Sequence, residues 1–177
     1  MTEDHEQTVW QGKFITAKVR GKWEYVSRAR GIKAAVILAI DDADHVLLVE
    51  QFRVPLGKAC LELPAGLIGD DGSAAGEDAA SAAVRELEEE TGYTAARMEL
   101  IGEFYSSPGM VSESFSLLKA HGLRQIGPGG GTDGEDITVH RVALSDLPNF
   151  IESARKRGLG IDVRLLMLLA PQILGGR

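Results

Sequence analysis

The chain has 177 residues, 44% of them hydrophobic and 25% charged, with a formal net charge of −7. This length fits one domain with a core large enough to need no disulfide staples, and the composition excludes collagen-like, coiled-coil and wholly disordered chains. The excess of acids over bases, 26 against 19, argues against nonspecific nucleic-acid binding, although divalent cations allow an acidic site to hold a polyanion.

The N-terminus, Met1-Thr2-Glu3-Asp4-His5-Glu6, carries three acids and no basic segment followed by an apolar run, so no signal peptide is expected. The longest apolar stretches, Ala34–Ile40 and Leu165–Ala170, are too short to span a bilayer. A soluble cytoplasmic protein that meets neither membrane nor nucleic acid is the expectation. With no repeat and no long linker, residues 1–177 read as a single domain, of which about the first 30 residues form N-terminal strands.

Trp23–Arg28 alternates large or apolar with polar residues, the pattern of a half-buried strand. Ala34–Ile40 is a continuous apolar run and reads as a buried strand. The acidic turn Asp41–Asp44 leads into a second strand, His45–Arg53, which suggests a hairpin. Proline and glycine reduce Glu62–Gly66 to a short strand edge or loop. Cys60, the single cysteine, lies in an apolar stretch and reads as a small core residue rather than a nucleophile. Gly69–Gly76 reads as a flexible loop.

Glu77–Thr91 is the clearest helix, with Ala80, Ala83, Val84 and Leu87 at helical spacing and Gly92 just beyond its end. Strand patterns follow at Met98–Tyr105, Ser114–Ala120 and Ile137–Leu144. Between the last two, Gly127–Gly134 reads as a mobile glycine-rich loop ending in acids. Helical patterns close the chain at about Asn149–Arg157 and Asp162–Leu169, with Asp162 as N-cap and Pro171 as a stop. This order suggests an α/β (α+β) sandwich on a mixed sheet, with antiparallel strands added at the N-terminus.

The chemistry concentrates in Arg85-Glu86-Leu87-Glu88-Glu89-Glu90-Thr91-Gly92-Tyr93. At roughly 100° per residue, Glu86, Glu89 and Glu90 share one helix face beside the apolar stripe, not opposite it. Such a helix can pack its stripe on a sheet and aim its acids into a cleft. Clustered carboxylates repel, so a compensating charge is needed: Arg85 can pair with Glu89, and a divalent cation with Glu86 and Glu90. An all-oxygen ligand set suits Mg²⁺ or Mn²⁺ better than zinc. The alternative is a solvated acidic face.

The segment resembles the Nudix box, G-x5-E-x7-R-E-U-x-E-E-x-G-U with U bulky and apolar. Glu77, Arg85-Glu86-Leu87, Glu89-Glu90, Gly92 and Tyr93 match it. The box's first glycine would fall at Asp71; Gly66 resembles that glycine displaced by five inserted residues. The resemblance implies the Nudix α/β/α sandwich and hydrolysis of a nucleoside diphosphate linked to another group. It further implies Glu86 and Glu90 as metal ligands, Glu89 as a ligand or its support, and the Ala65 carbonyl as a backbone ligand. Arg85 would orient the glutamates and Glu77 would tie loop to helix.

Gln51-Phe52-Arg53 followed by Leu61–Gly66, together with Ser107-Pro108-Gly109-Met110, resembles the ADP-ribose pyrophosphatase branch. ADP-ribose is then the first expected substrate, cleaved to AMP and ribose 5-phosphate. GDP-mannose, another nucleotide sugar or a nucleoside triphosphate remains an alternative, as does a sensor that binds ADP-ribose without cleaving it. Arg53 is the leading phosphate contact, its guanidinium being suited to bidentate recognition, with Arg28 and Arg30 as further candidates. Glu62, Leu67, Pro108, Gly109, Met110 and Glu113 join the candidate substrate residues. Glu135 is the first choice for catalytic base or additional metal ligand and Asp133 the second, on a loop whose glycines permit closure. His45, His121 and His140 are scattered singly and read as structural. The resemblance also implies a homodimer, with Trp10, Phe14, Trp23 and Tyr25 supplying apolar contact surface.

Overall fold

The computed structural model describes residues 5–29, 33–69, 78–132 and 134–175. Three strands, β1 (Gln7–Gln11), β2 (Ile15–Arg20) and β3 (Trp23–Arg28), form a separate antiparallel sheet at the N-terminus. The body follows: β4 (Ala34–Ala39), β5 (His45–Arg53), β6 (Lys58–Glu62), β7 (Ala65–Leu67) and helix α1 (Ala79–Thr91). Then come β8 (Tyr93–Tyr105), β9 (Ser114–Gln125), β10 (Ile137–Ala143), α2 (Leu147–Lys156), β11 (Gly160–Ile161) and α3 (Leu166–Leu174).

The body strands make two mixed four-stranded sheets, ordered β7-β4-β9-β8 and β10-β5-β6-β11. Alternation sends successive side chains of β4 to opposite faces. Ala35, Ile37 and Ala39 pack with Leu118, Ala120 and Leu47 against Ala83 and Leu87 of α1. Val36, with Val46, Leu48 and Leu117, packs against Leu147, Ile151 and Ala154 of α2. Helices therefore cover both faces, which is the expected α/β/α sandwich.

The apolar run of β4 is continuous because both of its faces are buried. Its parallel ladder with β9, from Ala34↔Phe115 to Ala39↔Ala120, requires the long crossover that carries α1. The expected β4–β5 hairpin forms only at its turn: Asp41 N–H donates to the His45 carbonyl at 2.9 Å and Ile40 bridges Val46. Beyond it the strands part, β4 into one sheet and β5 into the other. This parting leaves a cleft between β7 and the β5–β6 ladder.

Helix α1 starts at Ala79, two residues later than the pattern suggested. The Asp78 carboxylate caps it, accepting the N–H groups of Ala80 and Ser81 at 2.9 and 2.8 Å. Gly92, at φ 73°, ends it in the left-handed conformation. At the C-terminus, Asp162 caps a 3-10 turn (Val163–Leu165) that runs into α3, and Pro171 lies inside α3 instead of stopping it. Among the described residues no helix is long and apolar enough to cross a membrane.

Candidate active site

The cleft holds about 650 Å³, and its lining mixes carboxylates, guanidiniums and apolar groups. Its floor is where β7 meets α1. Glu90, only 5% exposed, accepts the Ala65 N–H at 2.9 Å. Arg85 donates through Nη1 to Glu86 at 2.8 Å and Glu89 at 3.2 Å, and through Nη2 to the Leu67 carbonyl at 3.3 Å. The guanidinium thus holds two of the helix carboxylates and fastens the helix to β7. Gly66 admits the Glu86 side chain: a Cβ there would lie 1.8 Å from the Glu86 carboxyl carbon. Gly66 therefore lies directly against the helix, and any side chain there would displace the Glu86 carboxylate.

Glu86, Glu90 and Glu135 all line the cleft. Burial, and then the negative fields of Glu86 and Glu135, push Glu90 up to about 8 against the Ala65 hydrogen bond that opposes them. Oxygen donors that raise one another's proton affinity fit a hard divalent cation, which would relieve the repulsion. Glu89 lies outside the lining, half-exposed and paired with Arg85, and fits a supporting role better than a direct ligand's.

Glu135 follows the glycine-rich run. The loop is fastened to the end of α1: Gly130 and Gly131 N–H donate to the carbonyls of Glu90 and Glu89 at 2.8 and 3.0 Å. Ile126 and Gly127 N–H likewise reach the Gly92 carbonyl at 2.7 and 3.0 Å. These amides satisfy carbonyls that a helix end leaves without intrahelical partners. A Cβ on Gly129 would lie 2.3 Å from the Thr91 carbonyl carbon, so glycine at that position permits the close approach of loop and helix. Glu135 accepts the Thr132 N–H at 3.0 Å, lines the cleft and lies near enough to Glu90 for its charge to be felt there.

The opposite wall carries the cations. Arg53 grips Glu62 in a bidentate pair, Nε–Oε1 2.6 Å and Nη2–Oε2 2.9 Å. Glu62 is 3% exposed and spends both oxygens on guanidiniums, so it orients cations instead of meeting substrate directly. Arg28 pairs with Glu113 at 2.5 Å across β3 and the segment before β9. Leu67 also lines the cleft, whereas Pro108, Gly109 and Met110 do not. Their segment is joined to the N-terminal sheet: Val26 N–H donates to the Met110 carbonyl at 3.0 Å, and Ser112 N–H to the Val26 carbonyl at 2.9 Å. Arg30, Glu77 and Asp133 lie outside the described residues.

Arg164 and Asp162 line the cleft without having been singled out for it in the sequence; Asp162 showed only its capping signal. Cys60 is buried and free, its thiol pushed up to about 11 by burial and the nearby Glu62 and Asp162 charges, which keeps it unreactive. His121 and His140 pair with Glu99 and Glu50 at 2.7 and 3.0 Å, outside the cleft.

A NUDIX domain family model matches residues 30–158, and the chain belongs to the Nudix hydrolase family. It is 37% identical over 156 residues to an uncharacterised Nudix hydrolase of Schizosaccharomyces pombe, a match covering 81% of this chain and 73% of that protein. It is 36% identical over 121 residues to the ADP-ribose pyrophosphatase of Bacillus subtilis, over 68% of this chain and 63% of that protein, less than two thirds of its length. The fold matches the crystal structure of an ADP compounds hydrolase with a TM-score of 0.69 at 24% identity, covering 97% of this chain and 92% of that one.

Proposed function

We propose that the protein hydrolyses the diphosphate linkage of a nucleoside-diphosphate sugar, with ADP-ribose the preferred substrate and AMP and ribose 5-phosphate the products. The observation that carries this reading is one cleft lined both by the carboxylates Glu86, Glu90 and Glu135 and by the guanidiniums of Arg28, Arg53 and Arg164. The names of the Bacillus subtilis relative and of the structural neighbour agree with it.

Glu86 and Glu90, with the backbone at Ala65 and with Glu135, would hold Mg²⁺, for which Mn²⁺ would substitute. Bound divalent cations offset the charge of the diphosphate and favour hydroxide over water. Arg53 and Arg28 bind the phosphate oxygens and keep the linkage beside Glu135. Glu135 takes the proton of the attacking water. Arg85 and Glu89 hold the helix carboxylates in register. The exposed Trp10, Phe14 and Trp23 of the N-terminal sheet, each more than half exposed, support a homodimer packed through that sheet.

Purified protein incubated with ADP-ribose tests the reading, with Mg²⁺ or chelator and the products separated by chromatography. AMP and ribose 5-phosphate are expected only with metal. Cleavage of GDP-mannose but not ADP-ribose would keep the reaction class and discard the substrate. Binding of ADP-ribose with no turnover under any metal would replace the enzyme by a sensor. Light scattering at micromolar concentration should give twice the monomer mass.

A further inference from the structure

We infer that Arg164 is a positioning residue that fixes Arg53 for the phosphates of the substrate, acting through the Glu62 carboxylate the two guanidiniums share; this rests on the reading of the cleft as a diphosphate site. The arrangement begins with backbone pairing. β11 adds to β6 in parallel, Gly160↔Cys60 and Ile161↔Leu61, and the Asp162 N–H donates to the Leu61 carbonyl at 3.0 Å. That pairing places Asp162 beside Glu62, a hundred residues earlier in the chain.

Asp162 then turns the chain back by accepting the Arg164 N–H at 2.7 Å. It also clamps the Arg164 guanidinium, Nε–Oδ1 2.6 Å and Nη2–Oδ2 2.7 Å. The same guanidinium lies 5.7 Å from the centre of the Phe115 ring, which limits its remaining freedom. So held, Arg164 Nη2 donates to Glu62 Oε2 at 3.2 Å, the oxygen that also accepts Arg53 Nη2 at 2.9 Å.

Each guanidinium line ends in the cleft, and neither Nη1 donates to a protein group among the described residues. Arg53 is the outer of the two, with its side chain 40% exposed against 18% for Arg164. Arg53 therefore meets the substrate and Arg164 backs it. Without Arg164, Asp162 loses its clamp partner, and the neighbouring cation is Arg53, whose field Asp162 already feels. Arg53 would then divide between two carboxylates. By occupying Asp162 and one oxygen of Glu62, Arg164 leaves Arg53 a single partner and a single orientation.

The test is a double-mutant cycle on Arg164 and Arg53, read as KM and kcat for ADP-ribose, with a crystal structure of Arg164→Ala. Arg164→Ala is expected to raise KM about tenfold and to leave kcat within about twofold. Arg164→Lys, which keeps the charge and loses the planar fork, should fall between wild type and Arg164→Ala. In an Arg53→Ala background, removing Arg164 should leave KM unchanged. In the crystal structure Arg53 should be found on Asp162 or split between Asp162 and Glu62. Equal KM effects of Arg164→Ala in both backgrounds would make Arg164 a direct substrate contact and overturn the inference. So would a lowered Tm with unchanged KM, or Arg53 still gripping Glu62 in one conformer. A wild-type protein that cleaves no nucleotide sugar would refute the proposed function, and the crystal structure would still decide the position of Arg53.

Discussion

Replacing Glu90 by Gln should make the metal-free protein more stable at alkaline pH while removing its activity. The buried carboxyl titrates at about 8 in the folded chain against 4.5 for an ordinary glutamate. An acid raised in this way carries no penalty below the unfolded value, where it is protonated in both states. It destabilises the fold progressively as pH climbs through that window, and the full penalty is reached above about 8. The difference of about 3.5 pH units corresponds to an effect on the order of 5 kcal/mol. A glutamine never ionises, and its carbonyl oxygen can still accept the Ala65 N–H that Glu90 accepts at 2.9 Å. Urea unfolding in chelator should therefore show wild type and Glu90→Gln nearly equal at pH 4.5 and diverging in favour of the variant by pH 9. Saturating Mg²⁺ should restore the wild type selectively, because the cation supplies the charge the fold lacks. Turnover of the variant should fall about 10³-fold or more. A stability difference that stays flat from pH 4.5 to 9 would refute the burial argument, and an active variant would remove Glu90 from the metal site.

Gly66→Ala places a methyl group 1.8 Å from the Glu86 carboxyl carbon, so that carboxylate must leave its seat. Turnover should be lost, and the rise in Tm produced by Mg²⁺ should shrink. Gly129→Ala combines a φ of 68° with a Cβ 2.3 Å from Thr91, and should cost roughly 2–4 kcal/mol as the loop detaches from α1. Hydrogen exchange at the Gly130 and Gly131 amides would then accelerate, and unchanged protection would contradict the capping role. Asp78→Ala removes two cap bonds far from the cleft floor and should lower stability by about 1 kcal/mol in denaturant unfolding, with kcat unchanged.

Local patterning made much of this molecule legible. Trp23–Arg28 and His45–Arg53 form the strands their residues announce, because alternation and apolar runs record burial directly. Glu86 and Glu90 were readable for the same reason: one helix face is a local object. What stayed hidden depends on partners distant in the chain. Nothing near Gly160 and Ile161 marks a strand two residues long; its ladder with Cys60 and Leu61 exists only once the sandwich is assembled. Arg164 inherits that invisibility, since it enters the cleft through β11. The parting of β4 from β5 is likewise set by what each strand pairs with, and their shared turn carries no trace of it. At Gly129 freedom of motion and close backbone approach ask for the same residue, and only the facing helix end shows that close approach is required there.

The seat of Glu86 against Gly66 bears on how such a chain can change over generations. The glycine that the carboxylate needs belongs to β7, and β7 is held by its ladder with β4 from Ala34↔Leu67 to Val36↔Ala65. At its other end α1 is held by the amides of Ile126, Gly127, Gly130 and Gly131. Helix and strand are thus registered to each other through β4 on one side and the loop before β10 on the other. A residue added to Gly127–Gly131 would pull the loop off the helix and disturb that register. Selection for a new substrate therefore meets a length-locked segment at the C-terminal end of this helix.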